Sequence, residues 1–171
     1  MKKQEEAAFR NFVVTRYAAL LRTAYLLTGD RHHAEDLVQT ALTSTALAWT
    51  SVTASDDMDA YTFRILINCH RRRFRRPRLP ECLTDAPPEQ SRGDPTTAIA
   101  ERSEVLAALS TLPPNQRAVL LLRFWEDMTE SQVARTLGCS VGTVRSHAAR
   151  ALAKLRTSPL LVECAGERGA P

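Results

Sequence analysis

The sequence predicts an all-α protein made of two small helical domains joined by a proline-rich linker. Apolar residues recur at three- and four-residue steps along most of the chain, which is the spacing of amphipathic helices. No alternation of period two is long enough for a sheet. A run of prolines interrupts the helical pattern: Pro77, Pro80, Pro87, Pro88 and Pro95. We therefore expect a first domain at 1–76, a linker at 77–98, a second domain at 99–157 and a tail at 158–171.

Two helices are predicted at the start of the first domain. Residues 6–27 carry an apolar stripe that the sequence TGD interrupts. Residues 31–49 carry a second stripe, and the acidic and amide side chains of this segment face the other way. The residues of the second stripe are Ala34, Leu37, Val38, Ala41, Leu42, Thr45 and Trp49.

The third predicted helix ends in a run of arginines. Asp57 can cap a helix over 58–76, and Pro77 ends that helix because proline disfavours helical backbone in the residue before it. Seven arginines against one aspartate give residues 59–78 a net charge of +6, so this helix is a candidate nucleic-acid contact. We expect it to turn four residues inward: Tyr61, Ile65, Leu66 and Cys69.

The second domain begins with two further predicted helices. One covers residues 99–110, and the other is the strongly apolar segment QRAVLLLRFWED. Between them, LPPNQR forms a turn whose proline suits a helix start.

The segment 128–156, MTESQVARTLGCSVGTVRSHAARALAKLR, predicts a helix-turn-helix. Thr129 and Gln132 have the spacing of a capping box, Gly138 suits a left-handed helix end, and Ser140 can cap the second helix. Two helices joined by a short turn with glycine, the second of them basic, are typical of DNA-binding proteins.

The second helix of this motif is expected to enter the major groove. Residues 139–156 hold four cations and no acid, which gives them a net charge of +4. Arg145 can pair there with guanine O6 and N7, whereas Arg150, Lys154 and Arg156 suit phosphates.

The composition argues against several other functions. The four cysteines lack the paired spacing of a zinc site, and the four histidines lack a partner pattern for a triad, a metal or a phosphate loop. We therefore expect no metal, no cofactor and no enzymatic activity. No apolar stretch approaches the roughly 20 residues of a membrane span, and the charged start lacks a signal-peptide apolar region, so we expect a cytoplasmic protein.

Two motifs resemble those of a known family: LTGDRHHAEDLVQTAL and LPPNQRAVLLLRFWEDMTESQVARTLGCSVGTVRSHAARALAKLR. They occur in this order around an arginine-rich helix and a linker. They look like small bacterial sigma factors of the extracytoplasmic-function (ECF) type, and most of all like the SigE-like actinobacterial branch. The resemblance covers about residues 7–157. It implies a sigma region 2 domain, a sigma region 4 domain and a role in promoter-specific transcription initiation. The implied partners are core RNA polymerase and promoter DNA, with no membrane and no small-molecule substrate.

In region 2, the resemblance assigns two surfaces. The DLVQ sequence matches the motif that docks on the clamp coiled coil of the polymerase beta-prime subunit, so Asp36 and Gln39 are carried over, although this chain has Thr40 where many members have Glu. A loop at about 50–58 corresponds to one that holds a flipped base; Trp49, Tyr61 and Phe63 flank it and are expected mainly in the core. The minus-10 contacts are expected from Arg64, Asn68, Arg71, Arg72 and Arg75.

In region 4, the resemblance assigns the minus-35 contacts to the second helix of the helix-turn-helix. The apolar helix before that motif resembles the part that fills the core and receives the beta-subunit flap, and its residues Leu121, Leu122, Phe124 and Trp125 are expected mainly in the core. The expected minus-35 contacts are Thr143, Arg145, Ser146, Ala149 and Arg150.

A competing interpretation is a helix-turn-helix regulator that binds an operator without polymerase. Such a regulator shares the C-terminal motif but has no need of the DLVQ helix or the arginine helix. The sequence leaves open which promoters are served, which signal acts, and whether an anti-sigma factor binds.

Overall fold

The computed structural model describes residues 3–50, 58–75 and 97–158. These residues form helices and contain no strand, which confirms the all-α prediction. A short π-helical turn, Leu121–Trp125, follows α5. The helices are α1 (Lys3–Thr28), α2 (Arg31–Leu47), α3 (Met58–Arg75), α4 (Thr97–Ser110), α5 (Pro114–Leu120), α6 (Glu130–Leu137) and α7 (Val141–Arg156).

A tight turn joins α1 to α2 at the predicted TGD sequence. Gly29 adopts a φ of +71°, a conformation that glycine reaches without steric cost. Asp30 then caps α2 by accepting a hydrogen bond of 2.8 Å from the backbone N–H of His33. This bond holds the pKa of Asp30 below its usual range, with a smaller contribution from the neighbouring histidines. The predicted stripes of both helices are buried at their centres, at Leu20, Ala24, Leu27, Ala34, Val38, Ala41 and Thr45.

The buried face of α3 differs from the prediction. Leu66 is buried as expected, but Tyr61, Ile65 and Cys69 are only half-buried. Because α3 packs against both α2 and α6, its buried face is displaced around the helix. Two buried hydroxyls meet on this face, since Thr45 Oγ1 lies 3.1 Å from Thr62 Oγ1. The buried residues are Thr62, Phe63, Leu66, Ile67 and His70. Asp57 and Pro77, the predicted boundaries, lie outside the described residues.

The apolar segment after LPPNQR is not one regular helix. Pro114 starts α5, as predicted, but from Leu121 the backbone widens into the π-helical turn, in which the N–H of Glu126 donates to the carbonyl of Leu121 at 3.0 Å. This extra residue per turn rotates the following side chains. Leu121 is buried, whereas Phe124 and Trp125 are 57% and 53% exposed, so the expectation that these two aromatics belong to the core is wrong.

The helix-turn-helix has the predicted caps. The backbone N–H of Gln132 donates to Thr129 Oγ1, and the Gln132 side chain accepts from the backbone N–H of Thr129 at 2.8 Å. Gly138 ends α6 with a φ of +65°, and the backbone N–H of Thr143 donates to Ser140 Oγ at 3.1 Å. The inner sides of α6 and α7 meet at Val133, Ala134, Val144 and Ala151, all buried.

One hydrophobic core runs through both halves of the described chain, from Leu20 in α1 to Ala151 in α7. Arg117 of α5 links the two halves by donating to the carbonyl of Leu27 at 2.6 Å, and it also donates to the carbonyl of Ser110 in its own half at 2.9 Å. Its partial burial lowers the pKa of its guanidinium. A second link is the hydrogen bond from Thr23 of α1 to the carboxylate of Glu126. In the described residues no helix is long and apolar enough to cross a membrane.

Candidate nucleic-acid interface

The outer face of α7 presents the residues that the sequence predicted. Val144 and Ala151 anchor the opposite side of the helix in the core. Residues 141–156 contain no acid, so this face is cationic. It is also free for a ligand to approach, since every predicted contact residue on it is exposed: Thr143, Arg145, Ser146, Ala149 and Arg150.

Two cations of α7 already have partners in the structure. Arg145 Nε donates to Glu130 Oε2 of α6 at 2.7 Å. Lys154 Nζ donates to the carbonyl of Thr111 at 2.6 Å, beside the C-terminal end of α4, so this predicted phosphate contact supports the packing of α7 in the structure. The sequence analysis missed Glu130 because the partners are 15 positions apart and meet only when the helix-turn-helix is folded.

The outer face of α3 forms a second basic surface. Arg64 and Asn68 are exposed one helical turn apart, Arg72 follows another turn later, and Arg71 is half-buried beside them. The backbone of Arg75 continues the helix, and its side chain lies outside the described set. Four residues of the predicted minus-10 set are therefore placed along one side of α3.

Tyr61 is the aromatic residue next to this basic surface. The Arg64 guanidinium lies 5.1 Å from the centre of the Tyr61 ring, which is within the range of a cation–π contact. Trp49 and Phe63 are buried as predicted, and Phe9 and Phe12 pack against the Trp49 ring with centres at 5.1 Å and 5.7 Å. The loop expected to hold a flipped base falls largely on residues 51–57, outside the described residues.

A third surface lies on the outer face of α2, and its predicted contact residues are one acid and one amide. Asp36 and Gln39 are exposed on the side opposite the buried stripe. Thr40 is also exposed, and its hydroxyl donates to the carbonyl of Asp36 at 2.8 Å. Leu47 lies three turns further along the same side and is 87% exposed. Polar side chains on the same side of a helix as an uncovered leucine form a surface that a protein partner can cover.

The charged side chains of the two basic surfaces are mostly arginines. Among the described residues no group of three or more His, Cys, Asp or Glu side chains is placed to hold a metal ion. Cys69 and Cys139 are half-buried free thiols. The basic residues lie on convex helix faces, which suits the backbone and grooves of nucleic acid.

Two family models match the chain. The model described as Sigma-70 region 2 matches residues 12–78, and the one described as Sigma-70, region 4 matches residues 102–155. The region 2 match includes α3. The region 4 match includes the helix-turn-helix up to Leu155.

Curated relatives match over most of their length. The RNA polymerase sigma-E factor of Streptomyces coelicolor is 41% identical over 152 residues, covering 89% of this chain and 86% of the relative. The ECF RNA polymerase sigma factor SigL of Mycobacterium tuberculosis is 34% identical over 160 residues, covering 88% and 89%.

Two solved structures share the fold. The sigma factor RpoE in complex with the anti-sigma factor NepR from Bartonella quintana matches with a TM-score of 0.69 and 23% identity, over 90% of this chain and 96% of that chain. CnrH in complex with the cytosolic domain of CnrY matches with a TM-score of 0.65 and 26% identity, over 93% and 90%.

Proposed function

Because this chain belongs to the ECF sigma factors of the sigma-70 family, we propose that its α2 surface contacts core polymerase and that its α3 and α7 surfaces contact promoter DNA. As a sigma factor, the protein directs promoter-specific transcription initiation by RNA polymerase. Sigma factors are initiation factors without enzymatic activity of their own. The regulator that acts without polymerase is not favoured, because such a protein has no need of region 2.

The α2 surface is the proposed dock for core polymerase. Asp36 and Gln39 supply a carboxylate and an amide on a rigid helix, and the exposed Leu47 supplies apolar area on the same side. A helix face that carries both fixed polar groups and an apolar side chain suits another helical surface. We assign the clamp coiled coil of the beta-prime subunit to this face. The exposed Phe124 and Trp125 in region 4 are assigned to the beta flap.

The α3 surface is the proposed minus-10 contact. Asn68 can hydrogen-bond to a base edge, and the flanking Arg64 and Arg72 can neutralise phosphates on either side of it. Arg71 and Arg75 extend the same basic side. The observation that carries this proposal is the exposure of the Asn68 amide between Arg64 and Arg72, on the side of α3 that faces away from its buried residues.

The α7 surface is the proposed minus-35 contact. Its N-terminal half presents Thr143, Arg145 and Ser146, which would face base edges when α7 lies in the major groove. Ala149 would contact apolar base atoms, and Arg150 would meet phosphate.

Replacing Asn68 with alanine tests the minus-10 assignment. We expect the variant to bind core polymerase normally but to form open complexes with altered preference at one minus-10 base pair, by about 5- to 150-fold, because a lost side-chain contact to a base costs about 1–3 kcal/mol. Asn11→Ala, which truncates an exposed asparagine of α1, is the matched control. Open-complex formation on promoters substituted at each minus-10 position measures the base preference of the variant and of the control. An equal loss on every promoter would contradict base recognition by Asn68.

The packed arrangement of the two halves has a consequence for promoter binding. The minus-10 and minus-35 elements lie about 25 base pairs apart, which is about 85 Å of B-form DNA. A compact chain of 171 residues has a radius of gyration of about 15 Å, and α3 packs directly against α6. We therefore propose that the links made by Arg117 and Glu126 open when both elements are bound.

Fluorescence energy transfer tests this opening. Labels at Val14 of α1 and Ala153 of α7, both exposed, report the distance between the halves when the native cysteines are replaced. We expect high transfer in the free protein and near-background transfer in the promoter complex with polymerase. Equal transfer in both states would contradict the proposed opening.

We further propose that the protein works in the cytoplasm, where bacterial RNA polymerase acts, and that a protein of the anti-sigma class regulates it. The support for such a regulator is that RpoE is in complex with the anti-sigma factor NepR and that CnrH is in complex with the cytosolic domain of CnrY.

A further inference from the structure

An ion pair joins the two helices of the helix-turn-helix on its outer side. Arg145, in the second turn of α7, donates through Nε to Glu130 Oε2 at 2.7 Å. Glu130 is the first residue of α6 and lies within the capping box, between Thr129 and Gln132. The carboxylate therefore projects from a backbone that the cap holds in place.

The atom that Arg145 uses for this bond is informative. A guanidinium is planar and carries five N–H donors, and guanine accepts two parallel hydrogen bonds at O6 and N7. The bond to Glu130 engages Nε, so the two terminal nitrogens are available for a base edge. Because the carboxylate fixes one side of the plane, it restricts the direction in which those nitrogens point.

Folding stability is a poor explanation of this pair. The Arg145 and Glu130 side chains are 68% and 32% exposed, and exposed ion pairs contribute little to the free energy of unfolding. A free arginine side chain loses considerable rotamer freedom when it binds one base. A partner that limits this freedom before DNA arrives reduces that loss and favours the base that the fixed plane fits.

A carboxylate at this position also acts against indiscriminate binding. Glu130 carries negative charge beside a helix that is expected to lie against phosphates. Its charge lowers the attraction of α7 for any DNA, while its hydrogen bond favours one orientation of Arg145. Both effects raise the ratio of specific to non-specific binding.

We propose that Glu130 is a positioning residue for minus-35 recognition, which holds the guanidinium of Arg145 so that its terminal nitrogens meet a guanine. The inference rests on the proposed DNA contact of Arg145. Glu130 itself touches no base, and its influence on the choice of base passes through Arg145.

The test is a double-mutant cycle in the complex of the full chain with core polymerase. Binding is measured on promoters carrying each base pair at each minus-35 position, for the unchanged protein, Glu130→Ala, Arg145→Ala and the double variant. Glu130→Gln is included because its amide oxygen can still accept from Nε. Glu6→Ala, which removes an exposed ion pair with Arg10 on α1, is the matched control.

We expect Glu130→Ala to lower discrimination at a single minus-35 base pair by about three- to ten-fold. Affinity for unrelated DNA should stay the same or rise. Glu130→Gln should retain part of the discrimination, and Glu130→Ala should have no further effect on discrimination in the Arg145→Ala background.

Two results would overturn the proposal, and they differ from each other. If Arg145→Ala lowers discrimination and Glu130→Ala does not, the positioning role fails while the DNA contact of Arg145 stands. If Arg145→Ala leaves discrimination unchanged at every minus-35 position, the DNA contact fails and the positioning role fails with it.

Discussion

Replacing Asp36 and Gln39 together with alanine should weaken binding to core RNA polymerase by at least about ten-fold, because truncating a pair of central interface side chains costs more than about 1.4 kcal/mol. Promoter-dependent transcription should fall in parallel at limiting protein. Both side chains are exposed and lie opposite the buried stripe of α2, so the fold should be unaffected. Titration of labelled protein with core polymerase measures the affinity.

The control for this change is the double variant Glu6→Ala and Asn11→Ala. It also removes one exposed carboxylate and one exposed amide, but from α1. Circular dichroism should give the same melting temperature for the docking variant and the unchanged protein. If the docking variant folds and binds core polymerase with undiminished affinity, the proposed dock on α2 is wrong.

Replacing Arg145 with alanine should remove about 1–3 kcal/mol of discrimination at one minus-35 base pair, which is the range for a paired contact between arginine and guanine. The minus-10 preference and the affinity for core polymerase should not change, because Arg145 lies in region 4 on an exposed face. Competition between promoters that differ at single minus-35 positions measures the effect.

Arg150→Ala is the comparison for that experiment. Arg150 is exposed one turn further along α7 and is proposed to meet phosphate. Its loss should weaken binding to all promoters alike and reduce the dependence of affinity on salt. An equal loss on all promoters after Arg145→Ala would make Arg145 a phosphate contact as well.

Local signals predicted much of the fold. The capping box at Thr129, the left-handed Gly138 and the cap at Ser140 depend on residues close in sequence, so the sequence predicts them directly. The turn at Gly29 and the helix start at Pro114 are of the same kind. Short-range backbone chemistry decides these features, and tertiary packing does not have to be known.

The features that depend on packing were harder to predict. The buried face of α3 was placed wrongly because α3 is covered by α2 and by α6, and only the first of these neighbours is close in sequence. His70 lies beside an arginine run and is nevertheless buried. The π-helical turn, which exposes Phe124 and Trp125, leaves no signal in apolar periodicity.

For the candidate surfaces too, the sequence predicted which side chains are exposed but not the contacts that depend on packing. Apolar periodicity places Asp36 and Arg145 on the outer faces of α2 and α7, and Asn68 is exposed on α3 although the buried face of that helix was predicted wrongly. The hydrogen-bond partners of polar residues could not be predicted from periodicity. The contacts of Arg145 with Glu130 and of Arg117 with Leu27 join residues far apart in sequence, and the folded chain alone brings them together.

Reconstituted transcription tests whether this protein directs promoter-specific initiation by RNA polymerase. Purified protein is mixed with core RNA polymerase and fragments of its own genome, and the transcripts and their upstream regions are sequenced. We expect transcripts that start at a fixed distance from two shared elements and that depend on both protein and polymerase. An absence of promoter-dependent transcripts, together with tight binding of the protein alone to an operator, would contradict this expectation.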